Sequence, residues 1–363
     1  MMPKFVRDSL ELKPILKLKQ ADVVPTSICN MRCKHCFIGD IPQEELTYDE
    51  VKQVYEILKE NGITRVNIWG GEITIRPDFY QLIETALLNF DSVSIQTNGT
   101  IETMLPFMLK SSKPEIRELY RNLGIHVSIE GSPEDDAEIR GKFHLRRVFN
   151  SLPLLAEAYG TNVSIRTTIF KNNKLSWAIE LALKLGVKWI GIRFKELGRG
   201  SQLKDLIPDE ERLAKVYYNI KELRKEYNEP IDRIMVDDSP FYIYDDYYYQ
   251  KYYEYFAKRG YICPWGRRIL VNQRGDVYPC PYTMNDKYYL GNIFNDEFDK
   301  ILKNYNKLLK WRIELMRDEK YIDKCRICPL RRYCGGGCTI YADINPKGYL
   351  GDPYCPIPIL LKK

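Results

Sequence analysis

The chain has 363 residues, ten of them cysteine, and carries 55 Lys and Arg against 49 Asp and Glu, a net charge of +6. That length exceeds most single cores and calls for two domains or a barrel with an appendage, while the small, interspersed charge gives no support for nucleic-acid binding. No apolar run is long enough to cross a bilayer, and the opening "MMPKFVRDSLELKPILKLKQ" is too polar for a secretory signal, so a cytoplasmic location without a membrane partner is expected.

Residues 1–20 read as an N-terminal extension. From 21 to about 200 the chain alternates strand-like and helix-like segments. The strand candidates are "VVPTSI" (23–28), "RVNIW" (65–69), "SVSIQ" (92–96), "GIHVSIE" (124–130), "NVSIRTTIF" (162–170) and "KWIGIRF" (188–194). Between them lie helical patterns. In "TYDEVKQVYEILKENG", Thr47 is a helix cap with Glu50 three residues on and Gly62 as a stop. In "PDFYQLIETALLNF", Pro77 suits a first turn. Such β-then-α units predict an α/β fold with a parallel sheet, a partial (β/α)6 TIM-like barrel whose chemistry lies at the C-terminal strand ends. Residues 201–260 are charged, read as a helical bridge, and end in "FYIYDDYYYQKYYEYF", with eight tyrosines between 242 and 255. Such a stripe suits an interdomain seam better than a substrate wall. Residues 261–363 are rich in turns, Gly, Pro and cysteine and show little apolar periodicity, so bound metal is expected to staple them.

The cysteines are uneven. Three fall at 29–36, seven at 263–355 and none between. In a reducing compartment this clustering points to metal, not disulfides. The first set, "CNMRCKHCF", places Cys29, Cys33 and Cys36 as C-x3-C-x2-C, just after the first expected strand. A [4Fe–4S] cluster is usually held by four thiolates. Three leave one iron open to a substrate or cofactor.

This spacing resembles the radical S-adenosylmethionine (radical SAM) superfamily, whose signature is C-x3-C-x-aromatic-C. Here His35 takes the aromatic slot and Phe37 follows the third cysteine. The resemblance implies that S-adenosylmethionine chelates the open iron and is cleaved reductively to a 5′-deoxyadenosyl radical, which abstracts hydrogen from substrate. Further stretches fit, in order, at expected strand ends. "WGGEI" supplies Gly70, Gly71 and Glu72, similar to the family's GGE motif for the methionine amino group; glycines allow close backbone approach to a ligand. "TNG" supplies Asn98. "VSIEG" supplies Ser128 and Glu130, at the positions of the family's ribose- and carboxylate-contacting residues. "EIRG" supplies Arg140, a fitting partner for the methionine carboxylate. No catalytic base is assigned.

In the second set, eleven residues separate Cys263 from Gly275, and four more precede Cys280. Cys325-x2-Cys328-x5-Cys334-x3-Cys338 and finally Cys355 follow. This resembles the seven-cysteine SPASM signature, an iron–sulfur domain named from peptide and quinone-cofactor maturases. The resemblance implies two auxiliary clusters, each expected as [4Fe–4S]. Cys325, Cys328, Cys334 and Cys355 would hold the distal one, and Cys263, Cys280 and Cys338 the proximal one, leaving one proximal iron without cysteine. A zinc ribbon is the structural alternative.

The substrate is less legible. About twenty-five residues precede the first strand, too few for the leader-binding domain that peptide maturases often carry. "YPCPY" puts Pro281 where the sulfatase-maturing branch has an acid, so that activity is not assigned. Two enzyme readings stay open: modification of a peptide or protein, and oxidation or decarboxylation of a small precursor in haem or other cofactor biosynthesis. A third class is a non-catalytic electron-transfer or zinc-binding module. The expected partners are a reductant such as ferredoxin or flavodoxin and a peptide or small-molecule substrate.

Overall fold

Period-2 alternation decides what the central strands do. β3 (Ser92–Thr97) and β4 (Leu123–Ser128) bury every second side chain, Val93, Ile95, Leu123, Ile125 and Val127, in the main core. The intervening residues Ser94, Gln96, His126 and Ser128 face the other way and line a cavity. A sheet apolar on one face and polar on the other is thus written into the strands. The computed structural model describes residues 16–110, 113–227, 233–238, 241, 244–245, 263–316, 321–340, 343 and 348–362.

Among the described residues ten strands form one sheet in the order β10-β9-β8-β1-β2-β3-β4-β5-β6-β7. The remaining strands are β1 (Gln20–Val23), β2 (Arg65–Ile68), β5 (Val163–Ile169), β6 (Lys188–Arg193), β7 (Ile234–Val236), β8 (Arg268–Val271), β9 (Asp276–Tyr278) and β10 (Gly291–Asn292). β8 and β1 to β7 pair in parallel, and β9 and β10 add an antiparallel edge. Long helices cover the apolar face: α1 (Tyr48–Glu60), α2 (Phe79–Asn89), then the shorter α3 (Leu105–Met108), α4 (Pro114–Tyr120) and α5 (Pro133–Arg140), followed by α6 (His144–Tyr159), α7 (Leu175–Lys184) and α8 (Glu210–Glu226). The expected capping box of α1 is present: the Glu50 N–H donates to the Thr47 hydroxyl, and the Thr47 N–H donates to the Glu50 carboxylate. Val51, Val54, Tyr55 and Leu58 then fall on one buried face.

The expected six-strand barrel is present, with four differences around it. The first strand lies earlier than expected, at Gln20–Val23. Pro25 interrupts the ladder, and residues 25–27 pair with the 44–46 loop: Leu46 N–H donates to the Pro25 carbonyl and Ser27 N–H to the Glu44 carbonyl, both at 2.9 Å. The cysteine loop therefore leaves an extended arm beyond the strand. α2 begins after Pro77, with Asp78 as its N-cap residue; the Asp78 carboxylate is taken by the Arg76 guanidinium at 2.7 and 2.9 Å and makes no cap hydrogen bond. β7 and β8 widen the parallel sheet at its two edges. The cysteine-rich region also has more apolar packing than its composition suggests. β8 buries Ile269, Leu270 and Val271 against β1, and helix Phe298–Leu315 buries Ile301, Tyr305 and Leu309. Tyr305 fastens that helix to the sheet edge, accepting from Gly266 N–H and donating to the Arg268 carbonyl, both at 2.8 Å. Most of the tyrosine-rich stretch lies outside the described residues; Phe241 within it is buried and packs edge-on against Tyr217. Among the described residues no helix is long and apolar enough to cross a membrane.

Candidate active site

The GGE turn shows how the cysteine loop is held. Gly71 N–H donates to the Thr26 carbonyl and Glu72 N–H to the Ile28 carbonyl, both at 2.8 Å. A Cβ on Gly70 would lie 2.3 Å from the Thr26 carbonyl oxygen, and one on Gly71 would lie 2.1 Å from that of Ile28. These glycines thus admit the chain's own backbone, the arm that leads into Cys29. Glu72 is buried behind them. Its Oε1 accepts the Thr97 and Thr74 hydroxyls at 2.7 Å and the Thr74 N–H at 3.1 Å, and its Oε2 accepts the Asn98 N–H at 2.6 Å. Burial pushes this carboxyl up, against the pull of those hydrogen bonds. The Asn98 side chain donates to Asn30 Oδ1 at 2.9 Å, and Asn30 donates to the Thr100 hydroxyl at 2.9 Å, so the TNG turn grips the cysteine loop from the side.

A second group sits at the mouth of β4 and β5. Glu130 is fully buried. Its Oε1 accepts from Arg140 Nη2 at 2.5 Å and Nε at 3.0 Å and lies 3.1 Å from His35 Nε2, and its Oε2 accepts the Thr168 N–H at 2.6 Å. Burial alone would raise this carboxyl; Arg140 and His35 outweigh it and hold it well below the usual range. Arg140 turns its remaining Nη1 toward the Cys33 sulfur, 3.8 Å away. Arg199 Nε donates to the Cys33 carbonyl at 2.9 Å. His35 Nδ1 is buried with no hydrogen-bond partner among the described residues. Phe37 packs on Trp69 and Tyr282, with ring centroids 5.4 and 5.6 Å apart.

The ten thiols fall into three neighbourhoods. Burial pushes Cys29 up to about 11, and negative charge on Glu72, Cys33 and Cys36 adds to the rise. Cys280 is pushed by burial to about 12, with Cys338 and Cys263 acting on it. Burial also pushes Cys325 to about 12, with Cys328 acting on it, and Cys325 and Cys328 act in turn on Cys334. Cys355 is raised by burial and by Asp352, Cys334 and Cys325. Cys334 and Cys338 are close in sequence yet join different groups. Between them Gly335, Gly336 and Gly337 all take positive φ, 60°, 80° and 77°, a turn that side-chain-bearing residues resist. The fully buried Arg312 fixes it, donating to the Gly335 and Gly337 carbonyls at 3.0 and 3.1 Å.

A cavity of about 530 Å³ runs from the cysteine loop to the second neighbourhood; it is lined by His35 and Phe37 of the loop, while Cys29, Cys33 and Cys36 lie off its lining, and its volume is within the range of small-molecule sites. His35, Phe37, Ser128, Glu130 and Arg140 line one end, and Cys263, Cys280 and Cys338 line the other. Gly70, Gly71, Glu72 and Asn98 hold the cysteine loop from off the lining, and the four thiols of the third neighbourhood are also outside it. Sequence reasoning missed much of the wall: Asp22, Arg166, Arg193, Lys195, Arg268 and Tyr282. The available signal was the polar half of each strand's alternation, as in Arg166 among the buried residues of β5. Three thiols on an anchored loop beside an orphaned His35 nitrogen fit an iron–sulfur cluster with a cofactor against it. The second and third neighbourhoods, with three and four thiols, fit further clusters.

Residues 23–185 match the radical SAM superfamily, and residues 263–329 match the SPASM iron–sulfur cluster-binding domain. The chain belongs to the radical SAM superfamily, in its SPASM subfamily. This radical SAM enzyme uses S-adenosylmethionine and iron–sulfur clusters. It is 26% identical to the mycofactocin maturase MftC of Mycolicibacterium smegmatis over 86% of this chain and 76% of that protein. It is 28% identical to the AdoMet-dependent heme synthase of Methanosarcina barkeri over 91% of this chain and 94% of that protein. In fold it resembles Streptococcus suis SuiB bound to its precursor peptide SuiA, with a TM-score of 0.70 at 16% identity, over 95% of this chain and 76% of SuiB.

Proposed function

We propose that this radical SAM enzyme modifies a peptide or protein held in the cavity between the Cys29–Cys33–Cys36 loop and the Cys263–Cys280–Cys338 triad. The observation that carries this reading is that one cavity is lined at both ends by the residues expected at a radical-generating site and at an auxiliary cluster. The maturase MftC and the peptide-bound SuiB support a peptide as substrate. The similarity to the heme synthase over nearly its whole length supports a second reading, oxidation of a small precursor.

When bound, S-adenosylmethionine and its cluster supply reductive cleavage and hydrogen-atom abstraction. Cys29, Cys33 and Cys36 would hold that cluster. Cys263, Cys280 and Cys338 would hold the proximal auxiliary cluster, and Cys325, Cys328, Cys334 and Cys355 the distal one. Arg140 and Glu130 position His35 at the cofactor end. Glu72 and Asn98 act from behind, keeping the loop backbone in place, and Ser128 borders the cofactor's space. The packed rings of Phe37, Trp69 and Tyr282 exclude water from the cavity wall beside the cysteine loop. We assign residues 21–200 to the barrel and 261–363 to the auxiliary-cluster region, with a cytoplasmic ferredoxin or flavodoxin as reductant.

Anaerobically reconstituted protein with dithionite should form 5′-deoxyadenosine, and the variant with Cys29, Cys33 and Cys36 all changed to Ala should not. Equal product from both would overturn the assignment. Mass spectrometry of peptides encoded beside the gene, incubated with the enzyme, separates the two substrate readings: an unchanged peptide mass together with turnover of a small precursor would favour the second.

A further inference from the structure

The cations around the cavity differ in one respect. Arg140 is paired with Glu130 at 2.5 Å, Arg193 with Asp352 at 2.5 Å, and Arg268 with Asp22 at 3.2 Å. Arg166 has no such partner among the described residues. It projects from β5 in register with Ser128 of β4, lines the cavity, and its Nε is buried without a hydrogen bond. Its neighbour His126 offers no counter-charge, because burial, Arg166 and Lys188 together keep that imidazole neutral. Arg166 as a whole is half-buried, but a buried guanidinium N–H left without an acceptor is costly, and an anion in the cavity would supply one. Tyr282 lines the same cavity and lies within electrostatic reach of Asp237, Cys338, Cys280 and Arg166, of which Arg166 is the cation. That ring is fixed by Phe37 and by Lys195 Nζ, 5.7 Å from its centroid. Its hydroxyl has no hydrogen-bond partner among the described residues.

We propose that Arg166 and Tyr282 form a carboxylate-binding subsite that grips the substrate in the cavity. The proposal rests on the function proposed above and names a feature of its substrate: a free carboxylate, from a peptide C-terminus, an acidic side chain or a small acid. A planar guanidinium with two parallel N–H donors matches a carboxylate, and a phenol hydroxyl adds a third donor. Arg166 is the register partner of Ser128 at the cofactor end and Tyr282 follows Cys280 by two residues, so a carboxylate held between them fixes which part of the substrate meets each. The rival source of the same chemistry is the methionine carboxylate of S-adenosylmethionine itself.

The test uses the full chain with its clusters reconstituted and acetate as the probe, followed by saturation-transfer NMR with acetamide as the neutral control. Acetate should bind in the presence of saturating S-adenosylmethionine, and acetamide should not. Arg166→Met should weaken acetate about tenfold or more, the scale of a lost hydrogen bond to a charged group, and Arg166→Lys should do so less. Should Arg166→Met fail to fold, Tyr282→Phe decides, since it removes only the hydroxyl and should also weaken acetate. Equal binding of acetate and acetamide, or variants that bind acetate like the wild type, would overturn the subsite. Acetate signal abolished by S-adenosylmethionine would overturn its assignment to substrate. Formation of 5′-deoxyadenosine by the wild type reads the underlying function separately: its absence alongside intact acetate binding refutes the radical reading and leaves the subsite standing.

Discussion

Arg193 Nη1 donates to Asp352 Oδ2 at 2.5 Å, joining the last strand of the six-strand barrel to the segment that carries Cys355 across 159 residues of sequence. Both side chains are almost completely buried, and Asp352 also accepts the Tyr354 N–H at 2.9 Å. A buried pair broken on one side costs up to about 3–5 kcal/mol, and less here because Asp238 Oδ1 remains 3.3 Å from Arg193 Nη2. Asp352→Ala should therefore lower the melting temperature and make residues 348–362 exchange amide hydrogen faster, with the barrel strands less affected. Hydrogen-exchange mass spectrometry measures this, and uniform exchange would contradict the link.

Glu130 makes the chain's stability acid-sensitive in a defined direction. Its folded pKa lies below the unfolded value of about 4.3, because Arg140 and His35 outweigh burial. Its contribution is thus complete above that value and is lost as pH falls below it. The stability gap between wild type and Glu130→Gln should stay constant from pH 8 to about 5 and narrow below about 4.3. Thermal unfolding across that range checks the sign; a gap that widens on acidification would reverse it.

Gly71→Ala should disconnect the cysteine loop. The added Cβ would lie 2.1 Å from the Ile28 carbonyl oxygen, and both sides of that contact are backbone. Relief requires the arm to move, costing about 1–3 kcal/mol. The expected outcome is a loss of about four irons per chain, with the two auxiliary neighbourhoods retaining theirs. Iron and sulfide analysis of the reconstituted variant decides.

Chelation of iron should not unfold the whole region after residue 263. Residues 263–316 have their own apolar support from β8 and helix Phe298–Leu315. The described residues of 321–362 bring fewer side chains to the main core, Leu330, Ile357 and Leu360, and lean otherwise on a small cluster around Tyr321 and Leu350 and on Arg312 at the glycine turn. Limited proteolysis after chelation should cut first within 321–362. Equal cutting in both halves would show that metal staples the entire region.

Local information carried much of this protein. Cysteine spacing marked its chemistry, because ligands of a compact cluster on one loop must be close in sequence. Alternating strand and helix periodicity marked the barrel, since each segment's pattern depends only on its own residues. The cap at Thr47 was legible for the same reason. What the tertiary structure decided is everything that depends on distant partners. The arm after Pro25 abandons the sheet because residues 44–46 compete for its hydrogen bonds. Gly70 and Gly71 are glycines on account of Thr26 and Ile28, more than forty positions earlier. Glu130 is engaged by Arg140 and His35, while Arg166, an equally ordinary arginine in sequence, pairs with no carboxylate among the described residues. A side chain's charge is written in its identity; whether that charge is neutralised depends on strand register and loop docking, which no local pattern specifies.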